Sequence, residues 1–345
     1  MTLRNIEMPQ IITQIEPNLH TSWKKELAEV ITDPKELLLA LSIPPEQYEQ
    51  AFAARKLFPV RVPRPYLSRI EQGNINDPLL KQVMPMADEF VETPGYVTDP
   101  LEEHDTAVEG LLHKYKNRVL LIVKAGCAIN CRYCFRRHFP YEDNSPNKVR
   151  WQQALDYIEQ HSEIDEVIFS GGDPLMANDQ QLAWFVEKIE QISHIKRLRI
   201  HTRLAVVIPS RITQAFCQML AQSRLNVVLV THINHANEID QDVADAVEKL
   251  KRAGITLLNQ SVLLKEVNDN VEQLVALSNA LFDIGILPYY LHTFDAVQGA
   301  AHFDTGIEKA QALYEQLLAN LSGYLVPKLV KEIAGEPNKT PINLR

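Results

Sequence analysis

The chain has 345 residues, 46% of them hydrophobic, and a formal net charge of -9. That length suits two ordinary domains or one large α/β barrel, and the charge argues against non-specific nucleic-acid binding. No stretch approaches the roughly 18 apolar residues of a membrane span, and residues 1–10 lack the apolar run of a secretory leader. These features predict a soluble cytoplasmic protein with no membrane or nucleic-acid partner.

Ten of the 20 prolines lie between Pro34 and Pro100, a density that favours short helices and turns over a regular sheet. Asp33-Pro34-Lys35-Glu36 before Leu37-Leu38-Leu39 predicts a helix start. Asp33 is its N-cap, Pro34 its first residue, and Glu36 closes a capping box. Residues 1–110 are therefore expected to form a helical accessory segment. From Arg118 a different rhythm begins. Apolar, β-branched runs predict strands at 119–124, 167–170, 198–202, 227–231, 256–264 and 289–294. Between them lie helical patterns such as Leu182, Phe185, Val186, Ile189, Ile192, and Val243, Val247, Leu250 closed by Gly254. Val271, Leu274, Val275, Leu281 and Gly285 repeat the device.

Six alternations imply parallel strands joined by right-handed crossovers, and near-continuous apolar runs suit a sheet covered on both faces. An open partial barrel and a doubly wound sheet share this rhythm. The polar residues favour the barrel, because they follow the strands one after another. A cysteine loop follows the first strand and Gly171-Gly172-Asp173-Pro174 the second. His201 and Arg203 end the third strand and His232 the fourth. Gln260 and Ser261 lie in the fifth, and Asp295 follows the sixth. A barrel active site gathers its groups at that end of the strands.

The cysteine loop reads Cys127-Ala-Ile-Asn-Cys131-Arg-Tyr-Cys134. Three thiolates at C-x3-C-x2-C spacing can wrap one centre but do not complete the four-cysteine set usual for a four-iron cluster. One iron is left open to another ligand. A structural zinc site with His138 as fourth ligand is the alternative; a disulfide does not suit a cytoplasmic chain. Cys217 sits on an apolar helical face and is expected in the core. Gly171-Gly172 can bring backbone close to a ligand without an intervening Cβ, although the same four residues could form a plain turn.

The cysteine loop resembles that of radical S-adenosylmethionine (SAM) enzymes, in which the amino and carboxylate groups of SAM chelate the open iron. Gly171-Gly172-Asp173 resembles the Gly-Gly-Glu motif that holds the SAM amino group, with Asp173 in place of the glutamate. The blocks 118–124, 131–137, 231–235, 259–264 and 322–327 are together similar to the lysine 2,3-aminomutase family, over residues 114–339. That resemblance implies a partial (β/α)6 radical SAM barrel at 111–325, a C-terminal segment at 326–345, and three cofactors: a [4Fe-4S] cluster, SAM and pyridoxal 5′-phosphate (PLP).

The same resemblance distributes roles among residues. Cys127, Cys131 and Cys134 would hold the cluster, and His232 and Gln260 would join Gly171, Gly172 and Asp173 around the cofactor. Lys339, in Gly335-Glu336-Pro337-Asn338-Lys339, would carry PLP, with Arg118 and Tyr115 at its phosphate. Arg136 would pair with the substrate carboxylate. Asp295 and Glu332, the latter standing where the family has an aspartate, would meet the distal ammonium of lysine. The chain stops six residues after Lys339, has Glu-Pro-Asn before it, and carries Arg61-Val62-Pro63-Arg64. These features look like the shorter branch that makes (R)-β-lysine for attachment to elongation factor P by its lysyl-ligase. Catabolic aminomutation of lysine, or aminomutation of another amino acid, is the alternative, and a reductase or flavodoxin-type protein is the implied electron donor. Asp295 and Glu332 disfavour glutamate, whose side chain they would repel.

Overall fold

A computed structural model describes residues 22–48, 52–104, 106, 108–141 and 147–344. The residues read for a leader, 1–10, and the first part of the accessory segment lie outside that set. The N-terminal part carries α1 (Ser22–Ala28), α2 (Pro34–Ala40), α3 (Arg64–Leu67) and α4 (Pro78–Lys81). The last three each begin with proline at one of the first two positions, where the missing N–H costs nothing. Asp33 caps α2 as its sequence predicts, accepting from the N–H of Lys35 at 2.7 Å; Glu36 reaches Arg64 at 3.2 Å.

The rest is strand–helix alternation. The strands are β1 (Leu111–Tyr115), β2 (Arg118–Lys124), β3 (Glu166–Gly171), β4 (Arg197–Thr202), β5 (Asn226–Thr231), β6 (Thr256–Val262), β7 (Leu287–His292), β8 (Lys328–Lys331) and β9 (Thr340–Pro341). They form one open sheet in chain order. β2 to β8 run parallel, while β1 and β9 add antiparallel edges. The crossovers are α5 (Lys148–Gln160), α6 (Asp179–Gln191), α7 (Leu204–Val207) with α8 (Gln214–Ala221), α9 (Gln241–Arg252), α10 (Val271–Asp283) and α11 (Ile307–Asn320). The six expected strands all form, so the chain is a partial α/β barrel whose sheet does not close. Three further strands were not anticipated: β1, β8 and β9.

One expectation needs correcting. Only β3 is buried along its whole length; β4 and β6 alternate buried and half-buried residues. Their second face turns inward, and Arg199, His201, Leu258, Gln260 and Val262 line a cavity instead of meeting a layer of helices. Cys217 is buried on α8, as expected. The main hydrophobic cluster runs from Trp23, Leu37 and Tyr66 in the N-terminal part through Phe169, Phe185 and Leu229 of the barrel. The accessory residues thus share the barrel's core.

Candidate active site

A cavity of about 570 Å³ occupies the lumen, and every residue given a cluster, cofactor or substrate role above lines it, whereas Ser261 turns away and donates to the Ile233 carbonyl at 2.8 Å. The cysteine loop follows β2 and is braced from the N-terminal part. The Asn130 N–H donates to the Arg61 carbonyl at 3.0 Å and that of Arg132 to the Gln82 carbonyl at 2.9 Å. The Arg132 and Arg137 side chains both end on the buried Glu89, at 2.6 and 2.8 Å. This fixes the loop carrying Cys127, Cys131 and Cys134. No three His, Cys, Asp or Glu side chains among the described residues gather as a single-ion site requires. His138 lies 3.2 Å from the Gln298 carbonyl. Three separate thiols on one loop suit a cluster in which each takes its own iron. Burial pushes the Cys127 thiol up and that of Cys134 up to about 11; metal coordination is what deprotonates a thiol in such surroundings.

The glycine loop packs directly on the stretch before the cysteines. A Cβ on Gly172 would lie 2.6 Å from the Gly126 carbonyl oxygen, and Gly171 has φ +116°, a region that L side chains rarely adopt. Asp173 turns its carboxylate into the wall. It accepts from Thr202 Oγ1 at 2.8 Å and from the N–H groups of Leu175, Arg203 and Leu204. What this motif presents to the cavity is therefore backbone. Across the lumen His232 Nε2 lies 2.9 Å from Gln260 Nε2. Burial drives His232 down to about 3 and His201 in the same direction, so both imidazoles are neutral. His201 Nε2 and His292 Nε2 are buried without a hydrogen-bond partner among the described residues, which suits a cavity shaped for a polar ligand.

The other end is assembled from the two edges of the sheet. Lys339 pairs with Glu332, whose other oxygen receives Lys114 at 3.1 Å and the Tyr115 hydroxyl at 3.0 Å. Burial opposes ionisation of Glu332, but the two lysines outweigh it and hold the carboxylate well below its usual range. Arg118 lies 4.0 Å over the Tyr115 ring, so a hydroxyl-bearing ring and a cation line the same cavity as the Glu332–Lys339 pair, groups that suit a phosphate-bearing aldehyde cofactor. Asp295, after β7, is pushed up to about 7 by burial, with Glu332 adding to the shift. Sequence reasoning missed Glu103, which meets both Arg136 and Lys114. It also passed over Arg199, paired with Glu166 at 2.6 Å, and Tyr290 and His292. Periodicity marked the last two only as strand residues, although inward-pointing polar residues on β7 were a usable signal.

The residues present fit a three-thiolate cluster, SAM and PLP. Residues 121–277 match the family model described as the radical SAM superfamily, and with the cysteine loop at the mouth of a parallel barrel this is a radical SAM enzyme. Among solved structures, a radical SAM methyltransferase from Sphaerobacter thermophilus overlays with TM-score 0.47 and 14% identity, over 64% of this chain and 68% of that one. The L-lysine 2,3-aminomutase of Escherichia coli is 57% identical over 98% of this chain and 99% of its own length. That of Haemophilus influenzae is 60% identical over 92% and 95%, and that of Clostridium subterminale 37% over 93% and 77%. The chain belongs to the L-lysine 2,3-aminomutase family, isomerases that use a [4Fe-4S] cluster, SAM and PLP.

Proposed function

We propose that the protein converts L-α-lysine to (R)-β-lysine, with its residues in the following roles. The observation that carries this reading is the single cavity shared by Cys127, Cys131, Cys134, the Gly171–Gly172 backbone, Arg136, Asp295 and Lys339. When bound, the cluster and SAM supply a hydrogen-abstracting radical, and PLP supplies the carbonyl that holds the migrating amine. The three cysteines hold the cluster. The Gly171–Gly172 backbone, His232 and Gln260 seat SAM, and Asp173 props the wall behind it. Lys339 carries PLP, with Arg118 and Tyr115 at its phosphate.

Arg136 pairs with the substrate carboxylate. Burial works against its charge, yet Glu103 overcomes this and keeps the guanidinium protonated. Asp295 faces the distal ammonium, and binding that cation favours its ionised form. Glu332 holds the Lys339 amine while the cofactor is away and is released to face the ammonium once that lysine is engaged. The barrel walls exclude water and other quenchers from the reacting centre.

Further proposals concern the setting. The product is destined for elongation factor P through a lysyl-ligase, a reading supported by Arg61-Val62-Pro63-Arg64 and Glu336-Pro337-Asn338. A cytoplasmic reductase or flavodoxin-type protein reduces the cluster. No helix among the described residues is long and apolar enough to cross a membrane. Anaerobic reconstitution with iron, sulfide, PLP and SAM, followed by chromatography of products from free lysine, tests the activity. (R)-β-lysine is the expected product; lysine left unchanged, with all three cofactors bound, would overturn the reading.

A further inference from the structure

Arg136 does not stand free in the cavity. Glu103 grips it from the side, Oε2 accepting from Nε at 2.6 Å and Oε1 from Nη2 at 3.2 Å. Ser170 Oγ accepts from Nη1 at 3.1 Å, and the guanidinium lies 4.8 Å from the Phe135 ring centroid. A guanidinium has five N–H groups; among the described residues three are engaged, leaving one on each terminal nitrogen. The Nη1–Nη2 end is what an incoming carboxylate meets.

Glu103 is itself built into the wall, only 4% exposed. The Asp99 carboxylate accepts its N–H and that of His104, each at 2.9 Å. Glu102, just before it, holds a left-handed φ of +52°, a strained turn that non-glycine residues rarely adopt. The second contact of Glu103 is Lys114, at 3.2 Å, and Lys114 continues to Glu332 and so to Lys339. Arg136, Glu103, Lys114, Glu332 and Lys339 form one chain of alternating charge.

We propose that Glu103 is a positioning residue for the substrate: it fixes the Arg136 guanidinium so that its terminal edge faces the cavity, at a set distance from the Glu332–Lys339 pair. This rests on Arg136 as the partner of the substrate carboxylate. A planar fork discriminates by angle as well as charge, so an arginine free to swing would hold lysine less tightly and less often in register with the cofactor.

The test uses the reconstituted holoenzyme and follows PLP absorbance on titration with L-lysine or lysinamide, which lacks the carboxylate. Glu103→Gln is expected to weaken lysine about ten-fold and to raise KM more than it lowers kcat, with lysinamide little changed and iron and PLP contents normal. Tighter lysine binding would overturn the proposal, because Glu103 would then be competing with substrate for Arg136. An equal loss for lysinamide would overturn it too. If the amide variant fails to hold its cofactors, Glu103→Asp carries the test: it keeps the charge, shortens the reach, and should weaken lysine alone, by about three-fold. Unchanged lysine affinity in that variant sinks the idea. Arg136→Gln separates the two layers. If it leaves lysine affinity unchanged, the reading of Arg136 fails; if it weakens lysine while the Glu103 variants do not, only the role of Glu103 fails.

Discussion

The two ends of the cavity are built in opposite ways. At the cysteine end one loop of eight residues supplies all three thiols, and the surroundings are neutral or already paired: burial raises Cys127 and Cys134, and His201 and His232 are uncharged. At the lysine end the functional groups come from stretches far apart in sequence. Lys114 and Tyr115 come from β1, Asp295 from the loop after β7, and Glu332 and Lys339 from the stretch around β8 and β9; Lys114, Tyr115 and Lys339 all meet on the Glu332 carboxylate. A site made by one loop depends on local geometry. A site made by two sheet edges depends on the whole barrel holding its shape.

The largest effect should come from the local end. Replacing Cys127, Cys131 or Cys134 with alanine is expected to abolish SAM cleavage and drop bound iron to background, whereas Cys217→Ala keeps full iron, as its buried place on α8 requires. Loss of iron from the Cys217 variant would break the account of a three-thiol loop. Next, Lys339→Ala should remove the covalent PLP absorbance and stop aminomutation while leaving iron unchanged, since the two ends share no ligand. Retention of both signals would move PLP to another lysine, Lys328 or Lys331 being nearest in sequence.

Asp295→Asn removes one charge-assisted contact worth roughly 1.5–3 kcal/mol, so lysine affinity should fall about 10- to 100-fold while SAM affinity stays. An unaffected lysine Kd would make Glu332 the ammonium's main partner. The smallest effect is on pH. Asp295 is pushed up to about 7, chiefly by burial, from an unfolded value of about 3.9. Below about pH 4 both states hold the proton. Between about 4 and 7 the unfolded chain releases it and the folded chain keeps it, so this group's contribution to stability is lost as pH rises through 7. Lysine affinity runs the other way, rising through about pH 7 as the carboxylate forms. Asp295→Asn should flatten both slopes, read by denaturant titration and by PLP absorbance.

The same contrast explains what could be read from the chain alone. The six strands of the repeat were visible because each carries three or more apolar or β-branched residues between turn signals, and the cysteine and glycine loops because their groups are contiguous. β8 escaped because Lys328–Lys331 has only two buried residues, flanked by exposed lysines. β1 escaped because Lys114 and Tyr115 have the look of a solvated face until Glu332 is brought to them. Glu103 carried no local signal, since its partners lie 11 and 33 positions away. The roles assigned to Lys339 and Asp295 came from family likeness. The sequence around Lys339 would have marked it as an ordinary tail residue, while Asp295 was singled out only by its place after the sixth strand.

The sheet's failure to close has a mechanical consequence. From β1 to β9 each strand is held to the next by backbone hydrogen bonds, and parting any two of them would strand amides that must find new partners. Between β1 and the segment after β8 the wall is completed by Lys114, Tyr115 and Glu332 side chains. Among the described residues no backbone hydrogen bond joins β1 to that segment, so parting the seam strands no amide and breaks side-chain contacts instead. It is the line along which the barrel yields at least cost. Local opening should therefore start there before it reaches the cysteine end, and amide exchange on either side of the seam would register the difference.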